Sequence, residues 1–377
     1  MISILDPAVD ADIIAAVLAP ESGYRFVDGW VTALPELATL DRPSACGRGL
    51  DPDRYAATAW PPDIRDRMSR YIVYPWRRTV VKLPESHYFR WLRSARNRYL
   101  IDRDEQTVWT GALIGIAGLS IGASVLSACA LTGAGRFRLA DTDVLGPTNL
   151  NRLPASVCDL GVTKLELAQR RTLELDPYTE ITAVAEGYSP ESAPRFLGTG
   201  PDREPLAVLL EEMDDFAMKV DIRLRARRAR IPVLMVTDHG DNVILDIERY
   251  DLDAEYPLFH GRAGDLGETT AARLSDPRTR ARLANLIVGP EVTPRTRFSL
   301  TQVGQSLPSW PQLGTAATAA GAFGALAARL LVTGAELPSG RYRLDLDAAI
   351  LGAAARRSDR WNELSEAEFT ALMAPPH

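Results

Sequence analysis

The sequence predicts an α/β fold: a Rossmann-like, doubly wound and mostly parallel sheet preceded by an N-terminal extension. Three observations carry this prediction. Apolar runs alternate with segments of helical periodicity, a glycine turn joins the first such run to its helix, and acidic residues follow several of the runs. Strands that alternate with helices of about 10–15 residues are typical of parallel α/β sheets.

The regular part of this pattern begins near residue 112. Helices are predicted after the glycine turn, from residue 162 and from residue 217, and residues 314–332 form a Gly/Ala-rich packed helix. The predicted strands are 112–117, 136–141, 180–186, 206–212, 232–238, an extra strand within 243–253 and an end strand near 341–347.

The N-terminal part lacks this regularity. Residues 1 to about 65 show no clean periodicity, residues 71–84 indicate one or two strands, and a short helix follows from residue 86. We therefore predict two parts, an extension or small subdomain of unknown role over residues 1–95 and one large domain over residues 96–377. The length of 377 residues gives a prior of about two domains.

Composition excludes several classes of protein. The 43 Lys and Arg against 49 Asp and Glu give a net charge of −6, which disfavours a nucleic-acid partner. The N-terminus lacks the pattern of a signal peptide, and no uninterrupted apolar run reaches the ~18 residues of a membrane span. Cys46, Cys129 and Cys158 form no CxxC pair, so we expect a cytoplasmic protein without zinc or disulfides.

The first candidate site is the turn that contains Gly118, Ser120 and Gly122. Between a buried strand and a helix, backbone N–H groups and the helix dipole favour phosphate. Glycine at these positions also allows close packing of helix and strand, and both interpretations stay open. Ser120 stands where a dinucleotide-binding turn normally has glycine.

A second group of candidates follows the next predicted strand. Asp141 ends that strand, where an acid can accept hydrogen bonds from ribose hydroxyls, so NAD and ATP are both accommodated. The segment after it supplies Asn149, Arg152 and Lys164, a set of amide and cationic donors that suits a triphosphate. A surface salt bridge is the alternative for Arg152, whereas Lys164 is one of only three lysines.

Paired acids follow the strand 206–212. Asp214 and Asp215 lie where doubly wound sheets place ligands, and paired acids there can hold Mg²⁺ against phosphates. Asp215 can equally cap the helix that follows. We therefore assign the functional role to Asp214.

These motifs resemble the ThiF/MoeB/HesA adenylyltransferases, which are related to ubiquitin-activating enzymes. The likeness extends from about residue 96 to 347, and its most specific parts are LADTDVLGPTNLNR, GVTK and EEMDDFAMK. The turn GLSIGAS resembles a divergent branch with Ser at the second glycine position. The resemblance implies a homodimer that uses ATP and Mg²⁺, with roles for these residues: Asp141 on the ribose; Asn149, Arg152 and Lys164 on the phosphates; Asp214 as catalytic and Mg²⁺-associated acid; and Arg98 reaching the partner subunit's phosphates.

The departures from the family limit the predicted reaction. No cysteine follows Cys158, so a zinc site and a catalytic cysteine thioester are not expected. The prediction is an adenylyltransferase that activates the carboxylate of a peptide or a small carrier protein as an acyl-adenylate. A degenerate, nucleotide-binding member of the family and an NAD-dependent oxidoreductase are the alternatives.

Overall fold

A computed structural model describes residues 1–41, 51–200, 203–266, 273–274, 276–356 and 362–373. Cys46 and His377 lie outside the described residues. The chain forms two compact units. Unit 1 comprises Met1–Thr107 with Arg170–Thr179, and unit 2 comprises Val108–Gln169 with Glu180–His377. The large domain predicted from residue 96 thus begins within unit 1.

Unit 1 contains a four-stranded sheet in the order β1-β3-β4-β2. β3 pairs antiparallel with β1 and β4, and β2 pairs parallel with β4. Its core includes Leu5, Ile14, Val73 and Val80. The strands are β1 (Ser3–Leu5), β2 (Arg25–Asp28), β3 (Ser69–Tyr74) and β4 (Thr79–Pro84).

Unit 2 contains a seven-stranded sheet in the order β11-β10-β9-β8-β5-β6-β7. Five neighbouring strands run parallel, namely β9, β8, β5, β6 and β7, while β10 runs antiparallel to β9 and β11. The strands are β5 (Leu113–Ala117), β6 (Arg136–Ala140), β7 (Glu180–Val184), β8 (Val208–Glu211), β9 (Val233–His239), β10 (Asn242–Glu248) and β11 (Gly340–Leu344).

This topology confirms the predicted fold class. From β5 the chain proceeds to β6 and β7 on one side, then returns to β8 and β9 on the other side. In doubly wound sheets, ligands bind outside the carboxyl ends of the strands at such a reversal. The crevice between β5 and β8 is therefore the expected position of a ligand.

Local sequence explains the central elements. Every residue of β5 and of β8 is buried, as expected for strands that are covered on both faces. Small residues bring the helix Gly314–Val332 against the helix Ile121–Leu131. A Cβ atom on Gly321 would lie 2.7 Å from the Ser124 carbonyl oxygen. By length and composition this Gly/Ala-rich helix is the one described helix that could cross a membrane, and half of its apolar stretch is buried in the fold.

The helices that join the strands of the unit 2 sheet agree with the predicted pattern. The structure also contains helices that were not predicted. Two of the additional helices lie in the polar stretch before Pro308, to which the sequence analysis assigned no element. The described α-helices are Ala11–Leu18, Trp30–Asp41, Pro52–Ala59, Pro62–Arg67, Ser86–Arg93, Arg103–Gly111, Ile121–Leu131, Lys164–Leu175, Ala193–Leu197, Phe216–Arg228, Pro277–Val288, Pro294–Thr301, Gly314–Val332, Leu346–Leu351 and Glu366–Met373.

Candidate active site

The glycine turn lies at the carboxyl end of β5 and leads into the helix Ile121–Leu131. Gly118 has a φ of +91°, and a Cβ atom there would lie 2.4 Å from the Glu212 carbonyl oxygen. A Cβ atom on Gly122 would lie 2.8 Å from Cγ2 of Ile116. Packing therefore requires glycine at both positions. The same turn presents a helix N-terminus, where backbone N–H groups attract anions.

Asp141 follows β6 and fixes this turn through its carboxylate. Oδ2 accepts a hydrogen bond from the Leu119 N–H at 2.5 Å, and Oδ1 accepts one from the Asp143 N–H at 2.7 Å. Burial raises the pKa of Asp141, while these hydrogen bonds and the charge of Lys164 oppose the rise. Carboxylate oxygens hold several lone pairs, so the side chain retains acceptor capacity for ribose hydroxyls.

Lys164 and Asn149 lie in the segment after Asp141, and each already has a partner. The Lys164 ammonium donates to Oδ2 of Asp143 at 2.6 Å, and its side chain is only 7% exposed. Oδ1 of Asn149 accepts a hydrogen bond from the Gly146 N–H at 2.9 Å. Its amide nitrogen has no hydrogen bond within the described part of the chain. A phosphate would therefore have to compete with Asp143 for Lys164.

Arg152 is hydrogen-bonded to the glycine turn and feels the charges of Asp238 and Asp214. Its Nε donates to Oγ of Ser120 at 2.9 Å, and a terminal nitrogen donates to the Thr148 carbonyl oxygen at 3.0 Å. Burial lowers the pKa of Arg152, while the carboxylates of Asp238 and Asp214 oppose this shift. The carboxylates of Asp238 and Asp214 thus act on the half-buried guanidinium through their charge and form no hydrogen bond with it. Ser120, the departure from the glycine pattern, holds this arginine at the turn.

The paired acids after β8 have different roles. Asp215 caps the helix Phe216–Arg228, since Oδ1 accepts hydrogen bonds from the N–H groups of Ala217 at 2.8 Å and Met218 at 3.1 Å. The capping interpretation of Asp215 is confirmed. Asp214 is exposed and has no hydrogen bond within the described residues. Its carboxylate is therefore available to a ligand.

A buried ion network, which the sequence reasoning missed, lies beneath Asp214. Glu211 is fully buried and pairs with Arg223, which also donates to Oε2 of Glu248 at 2.7 Å. Lys219 contacts both Glu211 oxygens at 3.2 Å. Lys219 and Arg223 lower the pKa of Glu211 despite its burial. Removing one member of such a network leaves an uncompensated buried charge, so the network fixes the end of β8.

Arg98 belongs to unit 1. Its guanidinium lies 5.6 Å from the centroid of the Trp91 ring, and the arginine is exposed. The next two residues are exposed to an unusual degree for their types, Tyr99 at 99% and Leu100 at 83%. The role of Arg98 toward a partner subunit stays a prediction.

The described cysteines and histidines have different environments. Cys158 is exposed, whereas Cys129 is buried. His239 is a fully buried residue of β9. His260 bonds Asp246 and Tyr256, at 3.0 and 2.9 Å, and so has structural partners.

A metal site made by the protein alone is not evident. Among the residues that the structure describes, no group of three or more His, Cys, Asp or Glu side chains could hold a metal ion. Mg²⁺ usually binds through one or two carboxylates together with substrate phosphates and water. The exposed Asp214 carboxylate fits that mode of binding.

Comparison with known proteins agrees with this fold. Residues 94–240 match the ThiF family, and the chain therefore carries a ThiF family domain. It is 38% identical over 290 residues to an uncharacterized protein of Mycobacterium tuberculosis, covering 77% of this chain and 39% of that protein. It is 28% identical to the tRNA threonylcarbamoyladenosine dehydratase of Bacillus subtilis, covering 33% of this chain and 47% of the dehydratase.

Among solved structures, the crystal structure of PaaA has a TM-score of 0.50 at 19% identity, covering 70% of this chain and 81% of PaaA. This similarity concerns the fold. The chain spans less than half the length of the curated relatives just described.

Proposed function

We propose that this protein is an ATP-dependent adenylyltransferase that activates a carboxylate as an acyl-adenylate. The observation that carries the proposal is the position of Arg152. Its guanidinium is bonded to Ser120 of the glycine turn, and the charges of Asp238 and Asp214 act on it, opposing the lowering of its pKa by burial. A cation between a phosphate-binding turn and an unpaired acid suits an α-phosphate that undergoes substitution.

The reaction follows from these positions. An oxygen of the substrate carboxylate attacks the α-phosphorus, a new O–P bond forms, and the bond to the bridging oxygen breaks. Pyrophosphate leaves with that electron pair. Asp141 orients the ribose, while Asn149, Arg152 and Lys164 compensate phosphate charge, with Lys164 exchanging Asp143 for a phosphate oxygen.

Mg²⁺ is the metal proposed for this site. Asp214 would hold it, and the ion would neutralise negative charge on the triphosphate. The charge of Asp214 also acts on Arg152 and opposes the lowering of its pKa by burial.

A peptide or a small carrier protein is the proposed substrate. No cysteine follows Cys158, so we propose that an external or intramolecular nucleophile attacks the adenylate directly. The related dehydratase is named for a tRNA nucleoside, but the net charge of −6 disfavours RNA for this chain. A cytoplasmic location is part of the same proposal.

Nucleotide preference tests the proposal first. ATP with Mg²⁺ should raise thermal stability and NAD should not, with a gain of about 2.7 kcal/mol at a ligand concentration about 100 times Kd. Pyrophosphate exchange into ATP should then appear with some members of a panel of peptides with free carboxylates. Stabilisation by NAD would favour the oxidoreductase, and ATP binding without exchange would favour a degenerate protein.

We further propose a homodimer in which each subunit completes its partner's site. Exposed Arg98, Tyr99 and Leu100 support this proposal, because large exposed side chains in a row are typical of interaction sites. Mixing Arg98→Ala subunits with Asp214→Asn subunits should regenerate one intact site per heterodimer and restore part of the exchange activity. Without restoration in heterodimers verified by native mass spectrometry, Arg98 does not act across an interface.

A further inference from the structure

The sheet order of unit 2 places four site positions in a row along its carboxyl edge. Along this edge, Asp141 follows β6, Gly118 follows β5, Asp214 follows β8, and Asp238 is the penultimate residue of β9. In the proposed function, which this inference requires, the ribose lies at Asp141 and the reacting phosphate lies at Asp214. The acyl group attached to that phosphate therefore extends over the end of β9.

Asp238 has an unusual environment for a carboxylate at this position. The residue is 2% exposed, and its Oδ1 accepts one long hydrogen bond, 3.4 Å, from Nε2 of Gln312. Its Oδ2 is buried and has no partner among the described residues. Burial raises the pKa of Asp238 to about 6, and the charge of Arg152 opposes this rise. A buried acceptor without a donor is energetically unfavourable.

The segment that covers Asp238 also contacts the phosphate-binding segment. Nε1 of Trp310 donates to the Asp238 carbonyl oxygen at 3.2 Å, and Nδ2 of Asn151 donates to the Gln312 carbonyl oxygen at 2.8 Å. A Cβ atom on Gly314 would lie 2.6 Å from the Asn151 carbonyl oxygen. The segment that covers Asp238 is thus tied to Asn151, the residue before Arg152, while Oδ2 of Asp238 itself stays unpaired among the described residues.

We infer that Asp238 is a specificity-determining residue whose Oδ2 accepts a hydrogen bond from an N–H group of the acyl substrate. When a peptide or carrier protein ends in a free carboxylate, the nearest donor to that carboxylate is the backbone N–H of the same residue. Pairing this N–H with an ionised, buried oxygen satisfies both groups and favours substrates that carry an amide beside the activated carbonyl.

Unreactive acyl-adenylate mimics test this inference without knowledge of the natural substrate. The two probes are sulfamoyl adenosines that carry either an N-acetylglycyl group or an acetoxyacetyl group, which differ only in N–H replaced by oxygen. Calorimetry should show that the wild-type protein binds the amide about tenfold more tightly than the ester, equivalent to about 1.4 kcal/mol. Asp238→Ala should bind the two with nearly equal affinity.

The control is Asp253→Ala, because Asp253 is an exposed acid that follows antiparallel β10, past the opposite edge of the sheet. This variant should keep the tenfold preference. If Asp238→Ala does not fold, Asp238→Asn retains the shape, and its neutral acceptor should reduce the preference to about threefold, since hydrogen bonds to charged acceptors are stronger.

An unchanged preference for the amide in folded Asp238→Ala or Asp238→Asn overturns the inference. This holds even if the variant slows the transfer of the acyl group that follows adenylation. Equal binding of both probes by the wild-type protein overturns it as well. Failure of the proposed function has a different signature, since the wild-type protein would then show no pyrophosphate exchange with any carboxylate, whether or not ATP binds.

Discussion

The two halves of the carboxyl edge of the unit 2 sheet differ in how their polar groups are satisfied. In the half proposed to bind the nucleotide (the nucleotide half), at the ends of β6 and β5, both carboxylate oxygens of Asp141 and the hydroxyl of Ser120 have hydrogen-bond partners within the protein. In the half proposed to bind the acyl group (the acyl half), at the end of β9, Oδ2 of Asp238 and both ring nitrogens of His239 are buried without partners among the described residues.

This difference indicates two ways of preparing a site. The nucleotide half is preorganised, because its side chains are held by one another before any ligand arrives. The acyl half keeps buried polar atoms unsatisfied at about 1–3 kcal/mol each, a cost that a ligand can remove. Substitutions of Asp214, Gly118, His239 and Ser120 test this division, in order of decreasing expected effect.

Asp214 lies between the two halves, and its loss should have the largest effect. Asp214→Ala should reduce the rate of pyrophosphate exchange about 100- to 1000-fold, equivalent to about 2.7–4 kcal/mol, because the carboxylate proposed to hold Mg²⁺ at the reacting phosphate is lost. The matched control is Asp215→Ser, which removes the neighbouring charge but retains a helix cap. If Asp214→Ala keeps more than about a tenth of the rate, roughly 1.4 kcal/mol, the assigned role is wrong.

Gly118 tests whether the nucleotide half is sterically fixed. Gly118→Ala should lower the free energy of unfolding by about 3 kcal/mol, because a Cβ atom at φ +91° would clash with the Glu212 carbonyl oxygen. Gly161 is a matched control: its φ is +89°, but nothing lies within 4 Å of a Cβ atom there. Gly161→Ala should lose only about 1 kcal/mol through backbone strain. Equal losses in urea unfolding would show that sterics at the turn contribute little.

The sequence predicted the sheet and much of the nucleotide half because those signals are local. A glycine turn, an acid after an apolar run and an acid before a helix each depend on neighbouring positions. This is why the packing role of Gly118, the cap formed by Asp215 and the strand pattern around them could be predicted before the structure was known.

The missed features depend on contacts between distant segments. Asp238 gains its position only when β9 pairs with β8 and the segment at Trp310 and Gln312 folds over it. Arg223 appears in sequence as one of many helical arginines, but β8 and β10 each bring a glutamate to it. The periodicity of the sequence does not reveal these side-chain contacts, because the partners are separated by whole helices or strands along the chain.

His239 tests the acyl half through the pH dependence of stability. Burial, together with the nearby Arg343 and Arg297, lowers the pKa of His239 to about 4, while Asp345 and Asp347 oppose the shift. In the unfolded chain the ring protonates near pH 6.5, and in the folded protein only near pH 4. The contribution of the neutral His239 ring to the free energy of unfolding is therefore fully present above pH 6.5 and is lost as the pH falls toward 4. Between pH 7.5 and 5 the loss is about 2 kcal/mol.

The variant His239→Leu separates this effect from the titration of other groups. Since neither ring nitrogen has a partner among the described residues, the substitution should cost little at pH 7.5. Urea unfolding should then show a stability loss between pH 7.5 and 5 that is about 2 kcal/mol smaller than for the wild-type protein. An identical loss in both proteins would exclude a neutral, buried imidazole.

Ser120 is the subtlest test of the nucleotide half. Ser120→Gly restores the residue that phosphate-binding turns normally have, but it removes the hydroxyl that accepts a hydrogen bond from Nε of Arg152. One such bond is worth about 1 kcal/mol, so the KM for ATP should rise about fivefold, with little change in kcat. Ser120→Thr keeps the hydroxyl and should retain the lower KM. If Ser120→Gly instead binds ATP as well as or better than the wild-type protein, the serine does not preorganise Arg152, and the nucleotide half depends on the backbone of the turn alone.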